Sequence, residues 1–420
     1  MVLRTGELIE APLRVQIYNY LNKNHVFICF FSLFSSMFCN FVSQKLFCGH
    51  HRQFLIYSRT QIMLHHLFFT LLQVSIGKKE AFAEPPTAEQ WTCLYRLAVE
   101  QSLVGVLYGA LERLPEQQRP DKALTRKWFA DTNAIERKYV QLENATVAVV
   151  RRFEADGYRV CLLKGIGNSI FYPQPRLRQC GDVDVWVDAS PAEMIRYAHR
   201  YRPGTKALYH NVEMPVNSQL EVDIHYRPSH LYTPLGNYRL QRIFKEWKEE
   251  QFMHQVQLAD GSSLAVPTVK FNLLYLLCHF NQHLFNEGIG FRQLMDYYYI
   301  LLRTSDEERR AAMRAVKEVG LERITRALMY VLQVVFLLDP PYLLVEPDEQ
   351  SGSFLLNEIL ATGNFGQFGE DAEKKRNKVE RNWKRLAHNF HLMPVFTADA
   401  LSEPLFRVYQ WVWRQWMKRY

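Results

Sequence analysis

The sequence predicts an α+β protein: a small sheet with helices, flanked by helical regions on its N-terminal and C-terminal sides. Three observations carry this. Apolar residues recur at helical spacing from Thr87 to Asp156 and again after Pro267. Between them the pattern changes to a short apolar run and two segments of strict alternation, the signature of strands. The composition, 48 % apolar and 22 % charged, is that of an ordinary globular protein with material for a sizeable core. Mean hydropathy of −0.23 excludes a polytopic membrane protein. A length of 420 residues suggests two or three domains, or one core with large helical additions.

The first 62 residues differ from the rest. Val26–Val42 is a run of 17 residues without a charge, six of them Phe and two Cys. A transmembrane helix needs about 20 apolar residues, with a range of roughly 17–25. Three readings stand for this segment: translation from upstream of the true start, with Met63 as the alternative start; a membrane anchor; or a buried or signal segment. The expected organisation is an atypical extension over 1–62, a helical region over 63–156, a core over 157–266 and a helical domain over 267–420.

The helical signal begins at Trp91, Leu94, Leu97 and Ala98 and continues at Val104, Leu107 and Leu111, with Pro115 and Pro120 as punctuation. A long helix is predicted from Leu124 to Asp156, stopped by Gly157. YRVCLLKG then reads as a buried strand. In GDVDVWVD, Asp182, Asp184 and Trp186 share one face and Val183, Val185 and Val187 the other. QLEVDIHYR alternates likewise, with Glu221, Asp223 and His225 against Leu220, Val222 and Ile224. A helix lies between, capped by Ser190 with Pro191 at its first position. QVQLADGSSLAV is a hairpin around Asp260-Gly261, and the chain is helical from Pro267 onward.

The formal net charge is +8. That suits solubility or an anionic partner and does not choose between them. The seven cysteines are odd in number and widely spaced, with no C-x-x-C, so neither a disulfide framework nor a structural zinc site is expected. Cys161 and Cys278 sit in apolar runs as small core residues, and a reducing cytoplasmic setting fits.

Asp182 and Asp184 carry the most chemistry. Two carboxylates at i and i+2 on a strand project together, and their repulsion is relieved by a divalent cation. Asp223, on a second alternating strand, is a third carboxylate, and three such groups can hold two Mg²⁺ ions for phosphoryl or nucleotidyl transfer. Asp-x-Asp alone is a weak signal. Its company strengthens it: LLKGIGNS runs a strand into a glycine turn, with a helix opening near Asn168. Glycines there let the backbone approach a phosphate, and Lys164 is positioned to contact a triphosphate. No P-loop order is present.

LLKG, then FYPQP, then R-x-x-G-D-x-D, then VDIHYR together resemble the bacterial uncharacterised nucleotidyltransferase family of the DNA polymerase beta superfamily. LAVPTVKFNLLYLLCHFNQHL and GIGFRQLMDYYYIL resemble its helical part. The resemblance runs from about Trp91 to the C-terminus and is strongest between Lys164 and Asp296. It implies a polymerase-beta-like nucleotidyltransferase core with a small mixed sheet. It also implies Asp182, Asp184 and Asp223 as metal-binding and catalytic residues, with Glu221 as the fallback for the third. Lys164, Gly165 and Arg178 are implied to hold the triphosphate. The superfamily's usual Gly-Ser pair is here Lys164-Gly165, which places phosphate binding less securely than the metals.

The expected activity is therefore Mg²⁺- or Mn²⁺-dependent transfer of NMP from an NTP to a sugar, small molecule, RNA end or protein. The alternative is a catalytically silent nucleotide-binding or scaffold protein on the same fold, with a link to surface polysaccharide by association. His279 and His283, four apart, are read as polar lining rather than half a zinc site. Arg292 and Asp296, also four apart, are read as an intrahelical ion pair. The basic segment Lys374 to Arg385, and Trp411, Trp413 and Trp416 among basic residues, read as solvated helices packing their tryptophans on the core. No strong nucleic-acid signal results. Asp182→Asn or Asp184→Asn is expected to abolish turnover and, by relieving repulsion, to leave the fold intact.

Overall fold

A computed structural model describes residues 59–216, 221–258, 261–362 and 378–420. Met1–Ile62 and Met63–Tyr420 are separate units, and the second is described here. The run Val26–Val42 lies outside the described residues. Among the described residues no helix is long and apolar enough to cross a membrane.

Helix α1 (Arg59–Ser75) precedes α2 (Ala88–Glu100) and α3 (Val104–Arg113). Thr87 and Gln90 form a capping box that starts α2. The predicted long helix is α4 (Lys122–Ala155), opened by the Asp121 side chain and closed before Gly157, whose φ of +87° only glycine adopts without strain. Four strands follow: β1 (Val160–Leu163), β2 (Val183–Val187), β3 (Asn211–Pro215) and β4 (Glu221–His225). The short helix α5 (Gly165–Ser169) separates β1 from β2, and α6 (Pro191–His199) follows β2 with Ser190 and Glu193 as its capping box. Helix α5 starts three residues earlier than the sequence suggested, directly on the glycine turn.

The sheet order is β1-β2-β4-β3. β1 and β3 run antiparallel to their neighbours while β2 and β4 are parallel, so the sheet is mixed. β3 is not evident from the sequence. It is an edge strand with one exposed residue and Pro215 at its end, so its alternation is weak. β2 is buried on both faces. Trp186, on the Asp184 face, packs against Phe252 at 4.9 Å and Phe271 at 5.7 Å between ring centroids. That converts the far end of a polar face into core.

The C-terminal half opens with α7 (Pro234–Met253) and the hairpin β5 (Gln255–Gln257) and β6 (Ser263–Ala265). Then come α8 (Val269–Asn286), α9 (Phe291–Leu301), α10 (Asp306–Val319), α11 (Glu322–Phe336), α12 (Glu349–Thr362), α13 (Lys378–Leu392) and α14 (Thr397–Met417). Helix α8 is the central one: it packs on α9, α10 and α13. Helix α4 packs on β1 and β2. Cys161 and Cys278 are buried and unpaired. Trp413 packs on Tyr209 and Tyr226, as expected of a core-facing tryptophan, whereas Trp411 and Trp416 face outward.

Asp399, in the first turn of α14, accepts a hydrogen bond from Asn281 Nδ2 at 3.1 Å. Burial raises its carboxyl to about 6. In the unfolded chain an aspartate titrates near 3.9. The native state therefore holds the proton longer, and stability falls as pH rises from about 4 through about 6. Asp399→Asn is expected to remove this loss. Urea unfolding should show a gain of about 1–2 kcal/mol at pH 7.5 and no change at pH 4.

Candidate active site

The parallel pairing of β2 and β4 sets Asp184 opposite Asp223 and Trp186 opposite His225. Side chains in register on neighbouring strands share a face, so the two carboxylates stand side by side. On the other flank, β1 pairs Leu163 with Asp184. The next residue, Lys164, thus leaves the strand beside the same carboxylate, and its Nζ lies 2.9 Å from Asp184 Oδ1. His225 Nε2 lies 3.0 Å from that oxygen. One ligand-capable atom from each of Asp184, Asp223 and His225 falls within 4.8 Å of the others.

The electrostatics follow from burial. Asp184 is 1 % exposed. Burial alone would raise its carboxyl, but Lys164 and His225 outweigh that and hold it well below the usual range. Burial likewise disfavours the Lys164 ammonium, and the charges of Asp184, Tyr275 and Asp182 reverse the effect and raise it. For Asp223 the balance tips the other way: burial and the Asp184 charge outweigh His225 and Lys164 and push it up to about 6. Asp184 Oδ2 and His225 Nδ1 are buried without a hydrogen-bond partner.

Backbone geometry supports the turn. Lys164 has φ +38° and ψ −148°, a region that L residues rarely occupy and that collects at functional sites. Gly165 follows with φ +43°, and a Cβ there would meet the Asp182 carbonyl oxygen at 3.1 Å. The turn and the start of β2 therefore approach as closely as glycine permits.

The sequence-predicted residues divide. Lys164, Asp184 and Asp223 are together. Asp182 precedes β2 by one residue and is exposed, bordering the group rather than joining it. Glu221, at the start of β4, pairs with Arg202 at 2.7 Å on the surface. Arg178 is 3 % exposed and committed to a bidentate pair with Asp296 of α9, Nε to Oδ1 at 2.7 Å and Nη2 to Oδ2 at 2.6 Å. Its Nη1 also donates to the Gly165 carbonyl at 3.1 Å. Asp296 thus takes its partner from across the chain, with Tyr172 adding a hydrogen bond at 2.6 Å. Arg292 Nη1 donates to the Gln179 carbonyl at 2.9 Å.

Of the further residues of the site, His225 and Tyr275 carry no sequence signal of their own, while the spacing of His279 to His283 reads as polar lining. His225 is two residues beyond Asp223 and looked like any alternating polar position. Tyr275 of α8 has a buried hydroxyl with no hydrogen-bond partner among the described residues, and its phenol is raised chiefly by burial. Lys164, Asp184, Asp182 and Asp223 all act on it electrostatically. His279, one turn on, has its Nε2 at 2.8 Å from His283 Nε2. Burial and the nearby Lys164 and His283 keep the His279 ring neutral, well below its usual range. Among the described residues, the group of three metal-capable side chains is the Asp184 cluster rather than this histidine pair.

A search of curated proteins returns no match. The crystal structure of an antigenic nucleotidyltransferase-like protein from Paracoccidioides brasiliensis is similar over 47 % of this chain and 93 % of that one, at 9 % identity and a TM-score of 0.27. That likeness is too faint to place residues. Residues 87–336 match the sequence family described as uncharacterised nucleotidyltransferase, a span of more than half of the 420 residues, and the chain belongs to that family.

Proposed function

We propose that the protein moves a nucleoside monophosphate from an NTP to a hydroxyl or phosphate acceptor, releasing pyrophosphate, with Mg²⁺ or Mn²⁺ at Asp182, Asp184 and Asp223. The observation that carries this is the juxtaposition of Asp184 and Asp223 with a buried, unpartnered Asp184 Oδ2. The donor set fits a hard divalent cation: carboxylate oxygens from two adjacent strands, one of them buried and bare. When bound, such cations supply charge neutralisation on the triphosphate and a lowered pKa for the acceptor hydroxyl.

The chain's own residues do the positioning. Lys164 has three donor hydrogens and a flexible stem, so its ammonium can stay near Asp184 while meeting a phosphate oxygen. Gly165 lets the backbone come close to that phosphate. Arg178, held by Asp296, fixes the Gly165 carbonyl and with it the direction of Lys164. Tyr275 and His279 supply an aromatic and polar wall on α8 against which the nucleotide or acceptor can lie. Rate acceleration in such a site is mostly orientation and preorganised charge.

The test is thermal stabilisation of the full chain by each NTP, with and without Mg²⁺ or Mn²⁺, alongside pyrophosphate release. Metal-dependent stabilisation by one NTP, lost in Asp182→Asn, is the expected result. NTP binding without pyrophosphate release against any acceptor class would instead establish a silent nucleotide-binding protein. Absence of any NTP effect on the folded wild type would reject the proposal.

A further inference from the structure

His225 is more than a neighbour of the carboxylates. Resting on the reading that Asp184 and Asp223 hold a divalent cation, we infer that His225 is itself a ligand of that ion, making a mixed nitrogen and oxygen centre. The ring is 3 % exposed and stands two residues beyond Asp223 on the same face of β4. A ring nitrogen lies with one oxygen each of Asp184 and Asp223 inside 4.8 Å.

Two ligands at right angles on one ion, each about 2.1 Å from it, are about 3.0 Å apart. The His225 Nε2 to Asp184 Oδ1 separation is 3.0 Å. The same spacing suits a hydrogen bond, so a second observation is needed. Asp184 Oδ2 is buried and unpartnered, and an Asp223 oxygen closes a three-ligand group with Asp184 and the His225 ring inside 4.8 Å. A buried lone pair left alone is costly. A cation held among the three side chains is the partner that this oxygen lacks. Among the described residues, Lys164 and His225 are the basic side chains that meet Asp184, and both reach Oδ1 rather than Oδ2.

The other histidines near the site make the inference testable. His210 lies with its ring centroid 5.4 Å from that of His225, and His279 feels the charge of His225. Mn²⁺ added to the full-length protein is a spectroscopic probe, because pulsed electron paramagnetic resonance detects an imidazole nitrogen bonded to it. The expected result is nitrogen coupling in the wild type that disappears in His225→Gln and persists in His210→Gln and His279→Gln. Weaker Mn²⁺ binding alone does not decide, since a residue that merely orients a ligand also costs 10–100-fold in affinity.

Mn²⁺ bound without nitrogen coupling would overturn the inference and leave the carboxylate metal site standing, with His225 only orienting Asp184. Coupling that survives in His225→Gln would assign the nitrogen elsewhere and overturn it too. If Mn²⁺ does not bind the wild type, with or without a non-hydrolysable NTP analogue, both the inference and the reading beneath it fail. Should His225→Gln not fold, the other two variants decide. Coupling kept in both supports His225, and coupling lost in either overturns it.

Discussion

Asp184→Asn is expected to lower nucleotidyl transfer by at least about 10³-fold, since it removes several kcal/mol of charge stabilisation at the reacting phosphate. It is also expected to destabilise the protein, and here the structure changes the sequence-based expectation of an intact fold. Asp184 is not a repelled anion waiting for relief. Lys164 and His225 already surround it. Removing its charge leaves the Lys164 ammonium, whose side chain is 15 % exposed, without its nearest counter-charge. Stranding one partner of a buried pair costs roughly 3–5 kcal/mol, and the nearby Asp223 reduces that to about 2–3 kcal/mol. Urea unfolding beside an initial-rate assay measures both effects. Asp182→Asn is the control. Its carboxylate is exposed, so activity should fall while stability stays within about 0.5 kcal/mol. Unchanged activity in Asp184→Asn would remove the carboxylate from the mechanism.

Asp296→Ala should be the most destabilising single change in the site region. Arg178 and Asp296 are both almost wholly buried and joined by two short hydrogen bonds. Burial alone would raise the Asp296 carboxyl, but Arg178 outweighs it and keeps the group ionised below its usual range. Deleting it strands a guanidinium with an expected loss of roughly 3–5 kcal/mol. The paired substitution Arg178→Met with Asp296→Leu is expected to recover most of that, because no buried charge remains. The single variant should also weaken NTP binding, since the Gly165 carbonyl loses its anchor. A large loss of NTP affinity in Arg178→Lys, with unchanged stability, would instead place Arg178 on the triphosphate.

These expectations show where residue pattern suffices and where it does not. Capping residues and glycine stops are local devices, so α4 and α6 were legible nearly to the residue, as was the β5–β6 hairpin. The Asp182 to Asp184 spacing suggested two carboxylates projecting together. Only Asp184 lies within β2, while Asp182 is the exposed residue before it. Strand β3 stayed hidden because an edge strand needs only half an alternating pattern. Asp296 shares a helix with Arg292 four residues away, so the local pairing was the natural reading. The fold gave it Arg178 from 118 residues away.

The sequence by itself determined the succession of helices and strands apart from β3, the chemical character of the Lys164 to Asp223 segment and, through its motifs, the family. Those properties follow from periodicity and from residue type, which are written along the chain. Tertiary structure alone decided which charges meet. The β2–β4 register set Asp184 beside Asp223, the end of β1 delivered Lys164 to Asp184, and α8 brought Tyr275 and His279 within electrostatic reach of Lys164. Such meetings depend on strand order and helix packing between distant segments. Their energies depend on burial, which no spacing along a chain encodes.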